Sequence, residues 1–127
     1  MTLKMYEVLD FASFFEKAKS QRLPFKTAYQ LTLLSKEIEK HTAFYQEGLQ
    51  QLISDYAQRD EDGNYIPTSD NQGVLLKPEH LEEVNKKLVE LRELDVELPD
   101  ISFSPVTFET MELSLDEISI IMPFIKE

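Results

Sequence analysis

Residues Phe25 to Gln58 read FKTAYQLTLLSKEIEKHTAFYQEGLQQLISDYAQ, with no proline and a single glycine, Gly48. Leu31, Leu34, Ile38, His41, Tyr45, Leu49, Leu52 and Tyr56 recur along this stretch at three- and four-residue spacing. The stripe starts near a heptad and drifts toward about 3.6 residues per turn. It predicts one helix over 25–58, about 34 residues and about 50 Å long. A helix of that length needs a partner along much of its course, because intrinsic propensity does not hold it. Gly48 costs such a helix about 1 kcal/mol relative to alanine. It marks a tolerated surface position, a bend, or a place where another backbone comes close.

Downstream, Arg59-Asp60-Glu61-Asp62-Gly63-Asn64 ends the helix with residues suited to a turn. Tyr65-Ile66-Pro67 and Val74-Leu75-Leu76 are placed to pair as short strands around Thr68–Gly73. Such a piece is marginal alone, and Pro67 requires an edge or terminal position in it. The whole acidic loop, 59–77, is long for a compact domain, which points to a functional or partly disordered segment. Pro78 then opens a second helix over 79–94, with Glu79, Glu82 and Glu83 at its positive end. Leu81, Val84, Leu88 and Leu91 form its apolar stripe, with Leu94 beside them. This helix is the antiparallel partner for the distal half of the long one.

Upstream, a helix over 4–19 carries Met5, Val8, Leu9, Ala12 and Phe15 on one face and Phe11 and Phe14 on its flank. Ser20–Leu23 breaks it before Pro24. In the tail, 95–127, the pairs Val96 and Leu98, Ile101 and Phe103, and Val106 and Phe108 alternate with polar residues and read as short strands interrupted by Pro99 and Pro105. Ser114 with Glu117 forms a capping-box pattern. It opens a short helix with Leu115, Ile118, Ile121 and Met122, before Pro123, Phe124 and Ile125. The expected fold is mainly α: a long antiparallel helical hairpin with a short β-hairpin or loop at its tip and a mixed β/α C-terminal tail, in one domain over 1–127. The arms are unequal, so half of the long helix awaits the first helix, the tail or a second subunit. Leu31, Leu34, Ile38 and Tyr45 on that helix, with Phe103, Phe108, Ile121 and Phe124 in the tail, are the candidate interaction residues.

Composition excludes several functions. Apolar residues make up 42% of the chain, too many for disorder by composition. No apolar run approaches the ~20 residues that span a bilayer. The first residues lack the basic, apolar and small-residue succession of a secretory signal. The absence of cysteine removes disulfides, thiolate metal sites and Cys nucleophiles, and fits a reducing cytoplasm. The net charge of −11 opposes direct nucleic-acid binding, which needs Lys and Arg to replace phosphate counterions. The charge is uneven: residues 1–58 hold seven acidic and seven basic side chains, and 59–127 hold seventeen and six. Lys17, Lys19, Arg22 and Lys26 cluster in the balanced half. The imbalance serves solubility, a basic end that docks on an acidic partner, or an acidic face that repels or mimics nucleic acid.

Catalytic and metal motifs find no footing. With Gly63 at the sixth position of a calcium loop, Gln58 and Ser69 occupy the first and twelfth, where an EF-hand needs an acid and a bidentate Glu. His41, one turn from Glu37, lies in the apolar stripe, and His80 in a first helical turn; two ligands fall short of a zinc site. Glu82, Glu83, Glu90 and Glu93 read as a solvated helix face. Three glycines cannot build a phosphate loop, and no serine stands in a nucleophile elbow. No catalytic, cofactor-binding or metal-binding residue is therefore nominated, and no cofactor is expected.

The stretch Leu49–Asn64, Leu-Gln-Gln-Leu-Ile-Ser-Asp-Tyr-Ala-Gln-Arg-Asp-Glu-Asp-Gly-Asn, followed by Leu81-Glu82-Glu83-Val84-Asn85-Lys86-Lys87-Leu88, resembles a family of small tailed-phage proteins without established activity. The resemblance covers residues 20–98. It implies a phage origin, a place in the host cytoplasm during assembly, and a role in the virion or its assembly. The layout is also similar in shape to a prefoldin-type chaperone subunit, which does not fix function. The expected function is that of a non-enzymatic phage structural or assembly protein acting through protein–protein contacts and oligomerisation. Its partner would be a second copy or another virion protein, with no membrane and no direct nucleic acid. The alternative is an acidic phage-encoded inhibitor that binds a host nucleic-acid-binding or defence protein as a DNA mimic.

Overall fold

A computed structural model of the chain describes residues 1–126. The elements run β1 (Thr2–Lys4), α1 (Met5–Ala18), α2 (Phe25–Tyr56), a 3₁₀ turn (Pro78–His80) leading into α3 (Leu81–Arg92), β2 (Asp95–Glu97), a 3₁₀ turn (Pro105–Phe108), α4 (Leu115–Ile121) and a last 3₁₀ turn (Met122–Phe124). The fold is mainly helical with a small two-stranded antiparallel sheet. It groups into two compact units, one made of Met1–Ala43 with the segment from Leu94 onward, the other of Phe44–Glu93. The helix α2 supplies residues to both.

In the first unit, the Lys4 N–H donates to Glu7 Oε1 at 3.0 Å and starts α1. The Met5 N–H finds Leu94 O at 2.8 Å. β1 pairs with β2 in the register Thr2–Glu97, Leu3–Val96, Lys4–Asp95, with Leu3 and Val96 buried. Two strands this short are marginal by themselves, so the pairing rests on that burial. The buried face of α1 is Met5, Val8, Phe11, Phe14 and Ala18, whereas Leu9, Ala12 and Phe15 are only half-buried. The helix is thus turned from the expected stripe, and the expected flank is its core. The cause lies in the tail. Phe124 approaches Phe11 with ring centroids 4.7 Å apart, Phe108 meets Phe14 edge-on at 6.1 Å, and Phe103 meets Phe108 at 5.5 Å. Such pairs contribute about 0.5–1.5 kcal/mol each beyond area burial.

The tail keeps the expected cap of α4: Ser114 Oγ accepts from the Glu117 N–H at 3.2 Å, and the Ser114 N–H donates to Glu117 Oε1 at 3.0 Å. Elsewhere it departs from the strand reading. Among the described residues of the tail, only Asp95–Glu97 pairs as a strand, and Phe103 makes a single parallel bridge to Ile125. Pro105 has no N–H to give a ladder, and the 3₁₀ turn it opens sends Val106 outward and Phe108 inward.

In the second unit, the distal part of α2 and α3 form the expected antiparallel hairpin. Tyr56 lies against Glu83, and Gly48 against Leu91, so the helices run oppositely. Val84 is the buried anchor of α3, and Leu81 is exposed. A Cβ on Gly48 would stand 3.0 Å from Leu91 Cδ2, so the glycine makes room for the Leu91 side chain, not for another backbone. The hairpin's tip is ordered by three bridges, Ala57–Leu76, Arg59–Tyr65 and Pro67–Val74, which tie three extended pieces each to the other two. The expected pairing of 65–67 with 74–76 is present, and α2 stops at Tyr56 because Ala57 already pairs. Asp60 Oδ1 accepts from the N–H groups of Asp62 and Asn64, both at 2.9 Å, and Gly63 takes φ +82°. A left-handed φ of this kind is what a glycine supplies at no steric cost.

Two stability outcomes follow from this packing. Phe124→Ala should cost about 3–5 kcal/mol, read as a lower urea midpoint at unchanged slope. Gly48→Val should cost about 1–3 kcal/mol through crowding of Leu91. Adding Leu91→Ala should recover part of that loss, and strictly additive losses would refute the contact.

Candidate interaction surface

Leu31, Leu34, Ile38, Tyr45, Phe103, Phe108, Ile121 and Phe124 are all buried within the chain. They build the core and are not open to a partner. For the proximal part of α2 the cover is internal: a cleft of about 150 Å³ is lined by Phe11 and Phe15 of α1 and by Ser35, Ile38 and Thr42 of α2. An apolar stripe has the same spacing whether its cover is intramolecular or not, so the pattern alone did not separate core from interface.

Two other apolar surfaces stay open, both in the first unit. One is a groove of about 590 Å³ between the Pro105–Phe108 turn and α4, lined by Phe108, Met111, Leu113, Ile118, Ile121 and Ile125 with Glu109 in its wall. Met122, just past the end of α4, also lines it and is 62% exposed, and Leu115, the first residue of α4, is 83% exposed. Leu115, Ile118 and Met122 stand at i, i+3 and i+7, one face of the helix. The other surface is at the start of α2. Phe25, 83% exposed, stacks on Tyr29 with centroids 6.0 Å apart, and Leu33 follows one turn later, also exposed. The spacing i, i+4, i+8 of these three residues was readable but lay off the dominant stripe.

Charge separates these surfaces. Residues 17–36 carry five basic side chains and no acid, and residues 94–127 carry eight acids and one lysine. Part of this cancels internally. Lys17 Nζ lies 2.9 Å from Glu117 Oε2, Lys4 Nζ 2.7 Å from Asp95 Oδ1, and the Met1 ammonium 3.0 Å from Asp100 Oδ1. The Ser114 N–H, and then Lys17, hold the Glu117 carboxyl below the usual carboxylate range. Among the described residues, Glu109, Glu112 and Asp116 near the groove and Arg22 and Lys26 beside Phe25 have no ion-pair partner.

The densest polar cluster lies in the second unit. The Tyr56 hydroxyl donates to Glu83 Oε1 at 2.8 Å and accepts from Lys87 Nζ at 2.9 Å, and the His80 ring packs 5.3 Å from the Tyr56 ring. The bond from Tyr56 lowers the Glu83 carboxyl below its usual range, and the bond to Tyr56 raises Lys87 above its own. Both shifts lead away from neutrality, opposite to what a general acid or base needs near pH ~7. The cluster works as a clasp between the end of α2 and the start of α3. Among the described residues no group of three or more His, Cys, Asp or Glu could hold a metal ion, and no helix is long and apolar enough to cross a membrane. Comparison with known proteins gives no match among family models, curated proteins or solved structures.

Because Glu83 has a lower pKa folded than unfolded, its contribution is complete above the unfolded value and is lost as pH falls through the folded one. Tyr56→Phe keeps the ring and removes the hydroxyl. The Glu83 titration midpoint, followed by carboxyl NMR, should rise toward the ordinary value in that variant. An unmoved midpoint would dismiss the clasp.

Proposed function

We propose that this chain is a non-catalytic structural or assembly protein of a tailed phage, acting through protein–protein contacts and self-association in the host cytoplasm. The observation that carries the reading is the open apolar groove beside α4, with the exposed Met122 in its lining and Leu115 exposed at the start of α4. Contiguous apolar surface of this kind is a mark of an interaction site. Burying each such side chain in a partner contributes about 1.5–3 kcal/mol. The phage setting is supported by the resemblance carried by Leu49–Asn64 and Leu81–Leu88.

A second reading, the acidic inhibitor that mimics DNA, is favoured by the eight acids of residues 94–127. Against it, the three of those acids that lack an ion-pair or side-chain hydrogen-bond partner among the described residues, Glu109, Glu112 and Asp116, stand among apolar residues of the Phe108–Ile121 segment, where a mimic of phosphates would present carboxylates alone. Salt separates the two. A contact centred on apolar burial persists at 1 M salt, where the Debye length is about 3 Å, and a carboxylate-driven one dissociates.

Size-exclusion chromatography with light scattering, paired with mass spectrometry of purified particles and assembly intermediates, tests the main reading. Self-association or presence in particles is expected. A strict monomer absent from every particle fraction would overturn it.

A further inference from the structure

We propose that the Phe25–Tyr29 aromatic pair of one copy docks into the groove beside α4 of a second copy. This rests on the reading above and names the surfaces it uses. The groove, about 590 Å³, is apolar and falls within the ~300–1,000 Å³ of pockets that take drug-sized groups, so it has room for the rings. Phe25 and Tyr29 are the matching shape: large, stacked on each other and exposed at 83% and 56%. Aromatic anchors seated in desolvated pockets are what dominate most protein interfaces.

Charge complementarity selects this pairing. Arg22 and Lys26 bracket Phe25 in a stretch without acids, and Glu109 stands in the groove wall with Glu112 and Asp116 on the adjoining segments. All five lack an ion-pair partner among the described residues. Bringing two aromatic surfaces together would oppose Arg22 and Lys26 to their own copies. Bringing two grooves together would oppose the three carboxylates. Such like-charge contacts are strongly disfavoured. Only the contact between unlike surfaces sets apolar on apolar and basic on acidic. With both surfaces on one chain, the contact either closes as a reciprocal pair or repeats along a row of copies. A single contact is small, so association is weak unless it is doubled or repeated.

The test uses two surface variants of the full chain, Phe25→Glu and Met122→Glu, each checked for an unchanged circular dichroism melt. The wild type should self-associate in light scattering. Raising salt from 0.1 to 1 M should weaken it without abolishing it, because the Debye length falls from about 10 to about 3 Å while the apolar burial remains. Each variant alone should be monomeric, since no copy then carries both surfaces intact. Their mixture should form a one-to-one dimer, at higher protein concentration than the wild type needs, because one intact aromatic pair meets one intact groove and the contact is single. A mixture that stays monomeric, or a wild type whose self-association survives either variant, overturns the proposal. A monomeric wild type found in particles overturns it while leaving the assembly role standing. A monomeric wild type absent from particles removes both.

Discussion

The contact between Phe11 and Phe124, rings from opposite ends of the chain at 4.7 Å, is the constraint on which the first unit depends. Both side chains are almost fully buried. Closing so long a loop costs entropy that grows only slowly with length, and the aromatic burial offsets it. Once Phe124 is seated, α4 is held against α1, Phe108 reaches Phe14, and the groove acquires its floor. The tail has little regular backbone pairing of its own. Its order derives from where its aromatic rings are buried.

Much of the architecture was legible because it is written in periodicities and local caps. The 3.6-residue stripe of α2, the Ser114–Glu117 cap and the pairing around Thr68–Gly73 each depend on residues close in sequence. What failed to show depends on distant partners. β1 is three residues long and pairs only with Asp95–Glu97. The orientation of α1 is decided by rings of the tail, and no local pattern says whether Phe11 or Phe15 will face them. The candidate site suffered most. The eight candidate residues stand out in the sequence by apolarity alone, and in the structure they lie in the core. The exposed set, Phe25, Tyr29, Leu115 and Met122, differs from them only in having nothing folded over it.

The charges follow the same division. Within the first unit the acids of the tail outnumber the bases near them, and the α1–α2 junction has bases without acids. Internal ion pairs use some of each and leave a remainder of both signs beside the two apolar surfaces. Exposed pairs are each worth only about 0–1 kcal/mol. In the proposed contact their role would be to set orientation and select the partner surface, with the apolar side chains supplying most of the affinity. The unlike surfaces and the proposed assembly role therefore meet on one physical point.

The tip of the hairpin carries a separate consequence. Its three extended pieces find their bridging partners in one another, and acidic side chains decorate the turn between the first two. A row of unsatisfied strand groups invites a neighbouring chain to add itself by backbone pairing, irrespective of side-chain identity. A small closed circuit of strands, negatively charged at its turn, offers little such invitation. In crowded surroundings, that would direct any association away from promiscuous strand addition and toward contacts that side chains can specify.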